Sequence, residues 1–214
     1  MVNRSKAKGT KFETDIVRYL EDFFPGTERR ALAGTLDKGD ILGVPLWIIE
    51  AKNRKVFNIG LWTEEAIVEA RNAKVPYWVV VHNRPMKNVS LSHATISLRM
   101  WLELQHGIFS SVLVDPEETS DYVNDTMAYM RLVCHDMVVV DSGLVTIGDR
   151  LLLIKSGNGI DMHGDAAAVS KQAEAMGLSG WAMVHRRRQH PISESYFTMS
   201  LAAWTEMVHA RQNA

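Results

Sequence analysis

Gly39-Asp40-Ile41-Leu42-Gly43-Val44-Pro45-Leu46-Trp47-Ile48-Ile49-Glu50-Ala51-Lys52 is the stretch from which the rest of the chain can be read. The apolar run Leu46-Trp47-Ile48-Ile49 follows Pro45, predicts a buried strand and ends in Glu50-Ala51-Lys52. Side chains alternate along a strand, so Glu50 and Lys52 leave it on one face. Asp40 stands ten positions before Glu50. Two carboxylates and an ammonium converging at the end of a buried strand are costly to desolvate. A bound divalent cation is the commonest reason for such a cluster. Carboxylates, a carbonyl and waters suit Mg²⁺, which usually brings phosphate chemistry.

The whole chain, 214 residues with 46% hydrophobic and 23% charged residues, has room for one large domain or two small ones and the composition of a globular protein. No apolar run approaches the roughly 18 residues of a membrane helix, so no membrane partner is expected. The basic N-terminal stretch has no apolar segment behind it and does not read as a secretory leader. A single cysteine, Cys134, fits a reducing cytoplasm and lies among apolar neighbours, as a core residue would. The net charge of −1 conceals an asymmetry. Residues 1–107 carry 16 Lys/Arg against 12 Asp/Glu, whereas residues 108–214 carry 8 against 13. Only the first half has the electrostatics of a nucleic-acid-binding surface.

The chain is duplicated. Shifted by 103 positions, residues 78–106 meet 181–209 with 12 identities in 29 positions, among them Trp78/Trp181, His82/His185, Ser92/Ser195, Leu98/Leu201 and Trp101/Trp204. Chance would give about two. Periodicity and breakers then predict, in the first copy, helices over 10–24, 61–73 and 99–106 and strands over 28–33, 38–43, 46–52, 77–82 and 93–98. The second copy answers with helices over 117–132, 164–176 and 201–211 and strands over 136–141, 144–147, 150–155, 180–185 and 195–200. The expected junction is Gly107 to Asp115. The fold class expected is α/β, two units in tandem, each a mixed sheet flanked by helices.

Lys52 meets Lys155 in this comparison, but Glu50 meets Leu153, Asp40 meets Gly143 and Glu13 meets Pro116. The second copy keeps the strand and lacks the carboxylates. If the first copy is catalytic, the second is not.

Glu13 on the first helix, the arginines Arg29 and Arg30, the Gly39-Asp40-Ile41 turn and Glu50-Ala51-Lys52 ending a hydrophobic strand stand in an order that resembles the PD-(D/E)XK nuclease superfamily. Within it, the chain resembles the Holliday-junction-resolvase-like nucleases of phages, over about residues 8–106 and more weakly in the second copy. The resemblance implies two restriction-endonuclease-like domains, an active one over 1–107 and a degenerate one over 108–214. It implies Asp40, Glu50 and the Ala51 carbonyl as ligands of Mg²⁺ or Mn²⁺, with Glu13 binding directly or through water. Lys52 would orient and help deprotonate the attacking water, with a lowered pKa. Many relatives carry Gln on the helix after the motif strand; here Glu69 stands there, and Gln172 in the second copy.

Each residue also has a structural explanation. Glu13 can complement a helix dipole, Asp40 can shape a turn, and Glu50 with Lys52 can be a cross-strand pair. Lys6, Lys8 and Lys11 read as a flexible basic arm for the DNA backbone or as a solubilising tail. Arg29 and Arg30 read as phosphate contacts or as a solvated strand end. Arg186, Arg187 and Arg188 read as a basic hairpin tip for phosphate or as a solvated loop. His82 and His185 read as structural, and Trp101 and Trp204 as core anchors. The resemblance implies a Mg²⁺-dependent DNA endonuclease acting on branched DNA in recombination or packaging, located in the cytoplasm of a bacterial host. A homodimer would supply paired incisions. A monomer with one site per chain would nick or trim flaps instead. The reading from another class is a non-catalytic DNA-binding or regulatory protein on a nuclease scaffold.

Overall fold

Phe12, Ile16 and Leu20 recur every four residues and bury one stripe of helix α1 (Arg4–Glu21). The computed structural model describes residues 4–30, 38–106, 121–157 and 159–213, so the expected junction and the outer part of the expected strand 28–33 lie outside the described residues. The chain is mixed α/β, with ten strands among the described residues in mixed β-sheet flanked by helices. It forms two compact units, residues 1–95 with 200–214, and residues 96–199.

In the first unit the strands lie in the order β1 (Glu28–Arg29), β2 (Ile41–Leu42), β3 (Trp47–Lys52), β4 (Tyr77–His82) and β5 (His93–Ser97). Only β3 and β4 are parallel, with Glu50 opposite Val80 and Lys52 opposite His82. A parallel pair needs a crossover, and α2 (Ile59–Ala73) supplies it. The Asn58 side chain caps α2 by accepting from the Leu61 N–H at 3.2 Å, and Lys74 ends it in the left-handed conformation at φ 57°.

The second unit repeats the plan with β6 (Val138–Asp141), β7 (Leu144–Ile147), β8 (Arg150–Lys155), β9 (Gly180–His185) and β10 (Tyr196–Ser200), β8 and β9 being the parallel pair. Helix α5 (Met162–Ala175) makes its crossover, and α4 (Tyr122–Arg131) corresponds to the helix expected over 117–132.

The compact units differ from a division of the chain at residue 107. Helix α3 (Leu98–His106), which ends the first copy, lies in the second unit; α6 (Leu201–Gln212), which ends the second copy, lies in the first. The exchange is reciprocal. The Leu98 N–H donates to the Ser195 carbonyl at 2.8 Å, and the Leu201 N–H donates to the Ser92 carbonyl at 2.7 Å. In the second unit Trp101 stacks on Phe197 with ring centroids 4.3 Å apart. In the first, Trp204 meets Trp47 edge-on at 5.2 Å and is fully buried. His209 packs against Phe23 and Phe24, and the Gln212 side chain donates to the Pro45 carbonyl at 3.1 Å. Trp101 and Trp204 are thus core anchors, each buried in the unit that its own copy does not build. Trp204→Ala is expected to cost about 3–5 kcal/mol of stability, read by urea denaturation; a loss below about 1 kcal/mol would contradict this packing.

Candidate active site

Gly39 opens the site. Its φ of +87° is left-handed, and a Cβ there would meet Cγ2 of Ile48 at 2.8 Å, so a side chain is excluded on both counts. The turn delivers Asp40 to the edge of β3. The Asp40 N–H donates to the Ile49 carbonyl at 3.0 Å and its carbonyl accepts the Arg30 N–H at 2.8 Å. Its carboxylate accepts the Ala51 N–H at 2.8 Å. The N–H and C=O of one strand residue point to the same side, so the Ala51 carbonyl leaves β3 on the edge that faces Asp40.

In the second copy the Ile154 N–H, equivalent to that of Ala51, donates to the backbone carbonyl of Gly143 at 2.6 Å. A main-chain carbonyl performs there what the Asp40 carboxylate performs here. The strand pairing therefore has no need of an acid.

Burial pushes the Asp40 carboxyl up to about 7, and the neighbouring Glu50 charge adds to the rise. Glu50 is 7% exposed and is also pushed up to about 7, first by burial and then by Glu69 on α2, while Lys52 opposes the rise. Lys52 forms ion pairs with Glu50 and with Glu65, the latter at 2.6 Å. Burial works against its charge, but the two carboxylates outweigh burial and its pKa lies above the ordinary lysine value. The lowered pKa expected of Lys52 is not what these neighbours produce; it is an ammonium held between two acids.

Glu13 sits on α1 with its carboxylate turned to Arg29, whose Nη2 is at 2.5 Å and Nε at 2.9 Å. Its charge still reaches Asp40 and contributes to that group's raised pKa. Arg29 is therefore committed to Glu13, while Arg30 contributes its backbone N–H to the Asp40 turn. Lys8 and Lys11 lie exposed on α1, which is helical from Arg4, so the expected flexible arm is an ordered helix; Lys11 pairs with Asp15. The side chain of Lys6 lies outside the described residues.

The arginine triplet does not form a hairpin tip of three free cations. Arg187 is 5% exposed, pairs with Glu194 at 3.3 Å and lies over the Tyr196 ring. Arg186 lies over the Tyr122 ring, and Arg188 alone is fully at the surface. Aromatic faces and an acid within the second unit hold two of the three.

Sequence reasoning overlooked Glu65 as a partner of Lys52, and it placed Glu69 on the helix without giving it a role at the carboxylates. The available signal was their four-residue spacing on a helix whose buried face includes Trp62, Ala66, Glu69 and Ala70. Glu50, Lys52, Glu64, Glu65, Val68 and Glu69 line an open cleft of about 460 Å³. In the second copy Lys155 is held by Asp165 of α5 at 2.7 Å, and Asp165 also meets His185 at 3.2 Å. A helix acid alone retains the lysine where Leu153 replaces the strand acid. Cys134 is buried, and burial with Asp136 beside it pushes the thiol up to about 12, which leaves it inert.

Among the described residues, no group of three or more His, Cys, Asp and Glu side chains is arranged to enclose a metal by itself. Asp40, Glu50 and the Ala51 carbonyl could still supply three oxygens from one strand end. Mg²⁺ ordinarily keeps several waters and takes only one or two carboxylates, so the donor set fits it. Burial first, and neighbouring carboxylate charge second, raise both acids, and a bound cation would favour their ionised forms. Among the described residues no helix is long and apolar enough to cross a membrane. No family model, curated protein or solved structure matches the chain, and the functional reading rests on these side chains.

Proposed function

We propose that the chain is a Mg²⁺-dependent DNA endonuclease of the PD-(D/E)XK type, similar to Holliday-junction resolvases and acting on branched DNA. The observation that carries this reading is the pairing of half-buried Asp40 with buried Glu50, present in one sequence copy and replaced by Gly143 and Leu153 in the other. The scaffold tolerates the replacement, so chemistry is the reason for the acids. When bound, the cation supplies charge neutralisation at the phosphate and lowers the pKa of a coordinated water. Asp40 and Glu50 hold the reacting end of the site, with the Ala51 carbonyl beside them. Lys52 keeps its proton on Nζ and presents a fixed donor to the phosphodiester oxygens and the attacking water. Cleavage leaves a 3′-hydroxyl and a 5′-phosphate. Glu13 tunes Asp40 through space, held at its distance by Arg29.

The same two replacements favour a second reading on the same chemistry: one site per chain, hence a nicking or flap nuclease when the protein is monomeric. Incubation with a four-way junction, a nicked duplex and a flap substrate in Mg²⁺ or Mn²⁺, alongside the solution mass, tests both. Paired symmetric incisions by a dimer are the expected result for resolution, and single nicks by a monomer for the second reading. No cutting of any substrate in either ion would sink both.

A further inference from the structure

The chain beyond Lys52 carries Asn53-Arg54-Lys55 between β3 and α2. Arg54 and Lys55 are exposed and, among the described residues, neither enters an ion pair or hydrogen bond. Asn53 between them and the site is half-buried and works as a clamp. Its Nδ2 donates to the Lys8 carbonyl on α1 at 3.2 Å, and its Oδ1 accepts from Asn83 Nδ2, just past β4, at 3.0 Å. The Asn83 N–H in turn donates to the Lys52 carbonyl at 2.9 Å. One short network thus ties the first turns of α1, the end of β3 and the end of β4. Lys8 belongs to this network through its carbonyl, and the exposed Arg54 and Lys55 follow Asn53 directly in the chain.

The second copy offers an internal comparison. Where Asn53, Arg54 and Lys55 stand, its sequence has Ser156, Gly157 and Asn158, and where Asn83 stands it has Arg186. The clamp and both cations are missing from the copy that also lacks Asp40 and Glu50. Arg54, Lys55 and the polar clamp are absent together with the acids, whereas the fold of the sheet is kept. Solubility alone gives no reason for that association, since the second half of the chain is the acidic one and has fewer cations to spare.

We propose that Lys8, Arg54 and Lys55, held in register by the Asn53 clamp, form the surface that grips the DNA backbone beside the cleavage site. The inference rests on the nuclease reading for its partner, and it assigns the positive surface to residues beside the site rather than to Arg186, Arg187 and Arg188. Cations beside the end of β3 can neutralise backbone phosphates, and the free ammonium and guanidinium groups need displace no protein partner on binding.

Binding of the full chain to a fluorescently labelled duplex and four-way junction in EDTA, across a salt series, separates binding from cutting. Arg54→Ala/Lys55→Ala is expected to weaken binding about tenfold and to make the slope of log K against log salt less negative by about 1.8, near 0.9 for each phosphate no longer neutralised. Lys8→Ala should change the slope by about half as much. Asn53→Ala keeps every charge and should lower affinity while the slope holds, as a positioning residue would. Arg188→Ala should leave both unchanged. Wild-type affinity and slope in the double variant would overturn the surface, even if the wild type cuts DNA. Wild-type affinity in Asn53→Ala would overturn the clamp. Weakened binding by the variants, with no cleavage by the wild type in Mg²⁺ or Mn²⁺, would leave the surface standing and overturn the nuclease reading.

Discussion

Glu50→Gln and Asp40→Asn are each expected to lower the cleavage rate by about 10³-fold or more while leaving the metal-free protein more stable than the wild type at pH 8. The first effect follows from removing a ligand charge at the reacting end of β3. The second follows from the direction of the pKa shifts. Both folded-state values lie near 7, above the ordinary values of 3.8 and 4.5. The folded protein therefore holds protons that the unfolded chain has already lost. These two groups contribute stability in full below the ordinary carboxylate range, and that contribution falls away as pH rises through about 7. The melting temperature of metal-free wild type should thus decline between about pH 4 and pH 8, and saturating Mg²⁺ should recover part of the loss at the alkaline end. The amides carry no charge to bury and should flatten the profile. Asn at position 40 retains an oxygen for the Ala51 N–H, so the turn survives the change. Variants that melt earlier than wild type at pH 8, or a wild-type profile that rises with pH, would show that the acids are there for folding.

A fragment ending at Gly107 is expected not to fold as a monomer, although it contains the whole first copy of the sequence. It lacks α6, and with it the buried Trp204, the ring contacts of His209 to Phe23 and Phe24, and the bond from Leu201 to Ser92. The tryptophan alone is worth about 3–5 kcal/mol, against a total of about 5–15 kcal/mol for an ordinary domain. The fragment also leaves α3 without Phe197, against which Trp101 stacks in the intact chain. Because α3 and α6 carry equivalent tryptophans, the fragment has one route to order: two copies exchanging α3, which would make its folding depend on concentration. Thermal melts by circular dichroism at several concentrations, with the solution mass, decide the matter. A cooperative, concentration-independent transition in a monomeric fragment would mean that α6 is dispensable.

The elements were largely legible from local pattern. Strands 77–82, 144–147, 150–155 and 180–185 fall where alternation and breakers place them, since each is an apolar run bounded by turn residues. Helix ends were less so: α1 starts at Arg4 and stops at Glu21, before the Pro25-Gly26 breaker, because a turn begins at Asp22, where the Phe23 and Phe24 N–H groups both donate to the Leu20 carbonyl. At the site, the order of Asp40, Glu50 and Lys52 was visible along the chain. Their partners were not. Glu65 and Glu69 come from α2, and only the parallel pairing of β3 with β4 swings that helix over the strand end.

What the sequence determined by itself is the duplication, the plan of each copy and the loss of Asp40 and Glu50 from the second, because all three are written in residue identities at fixed spacing. Tertiary structure alone decided which sheet each terminal helix covers. Ser92 and Ser195, Leu98 and Leu201, and Trp101 and Trp204 are identical across the copies, so either helix carries the residues to dock in either place. Local preference is the same for both arrangements. The choice belongs to long-range burial, which no stretch of sequence read alone contains. The protonation of Lys52 was decided in the same way: a lysine's neighbours across a strand end and a helix set its charge, and the two acids that keep it an ammonium meet only when the first unit is folded.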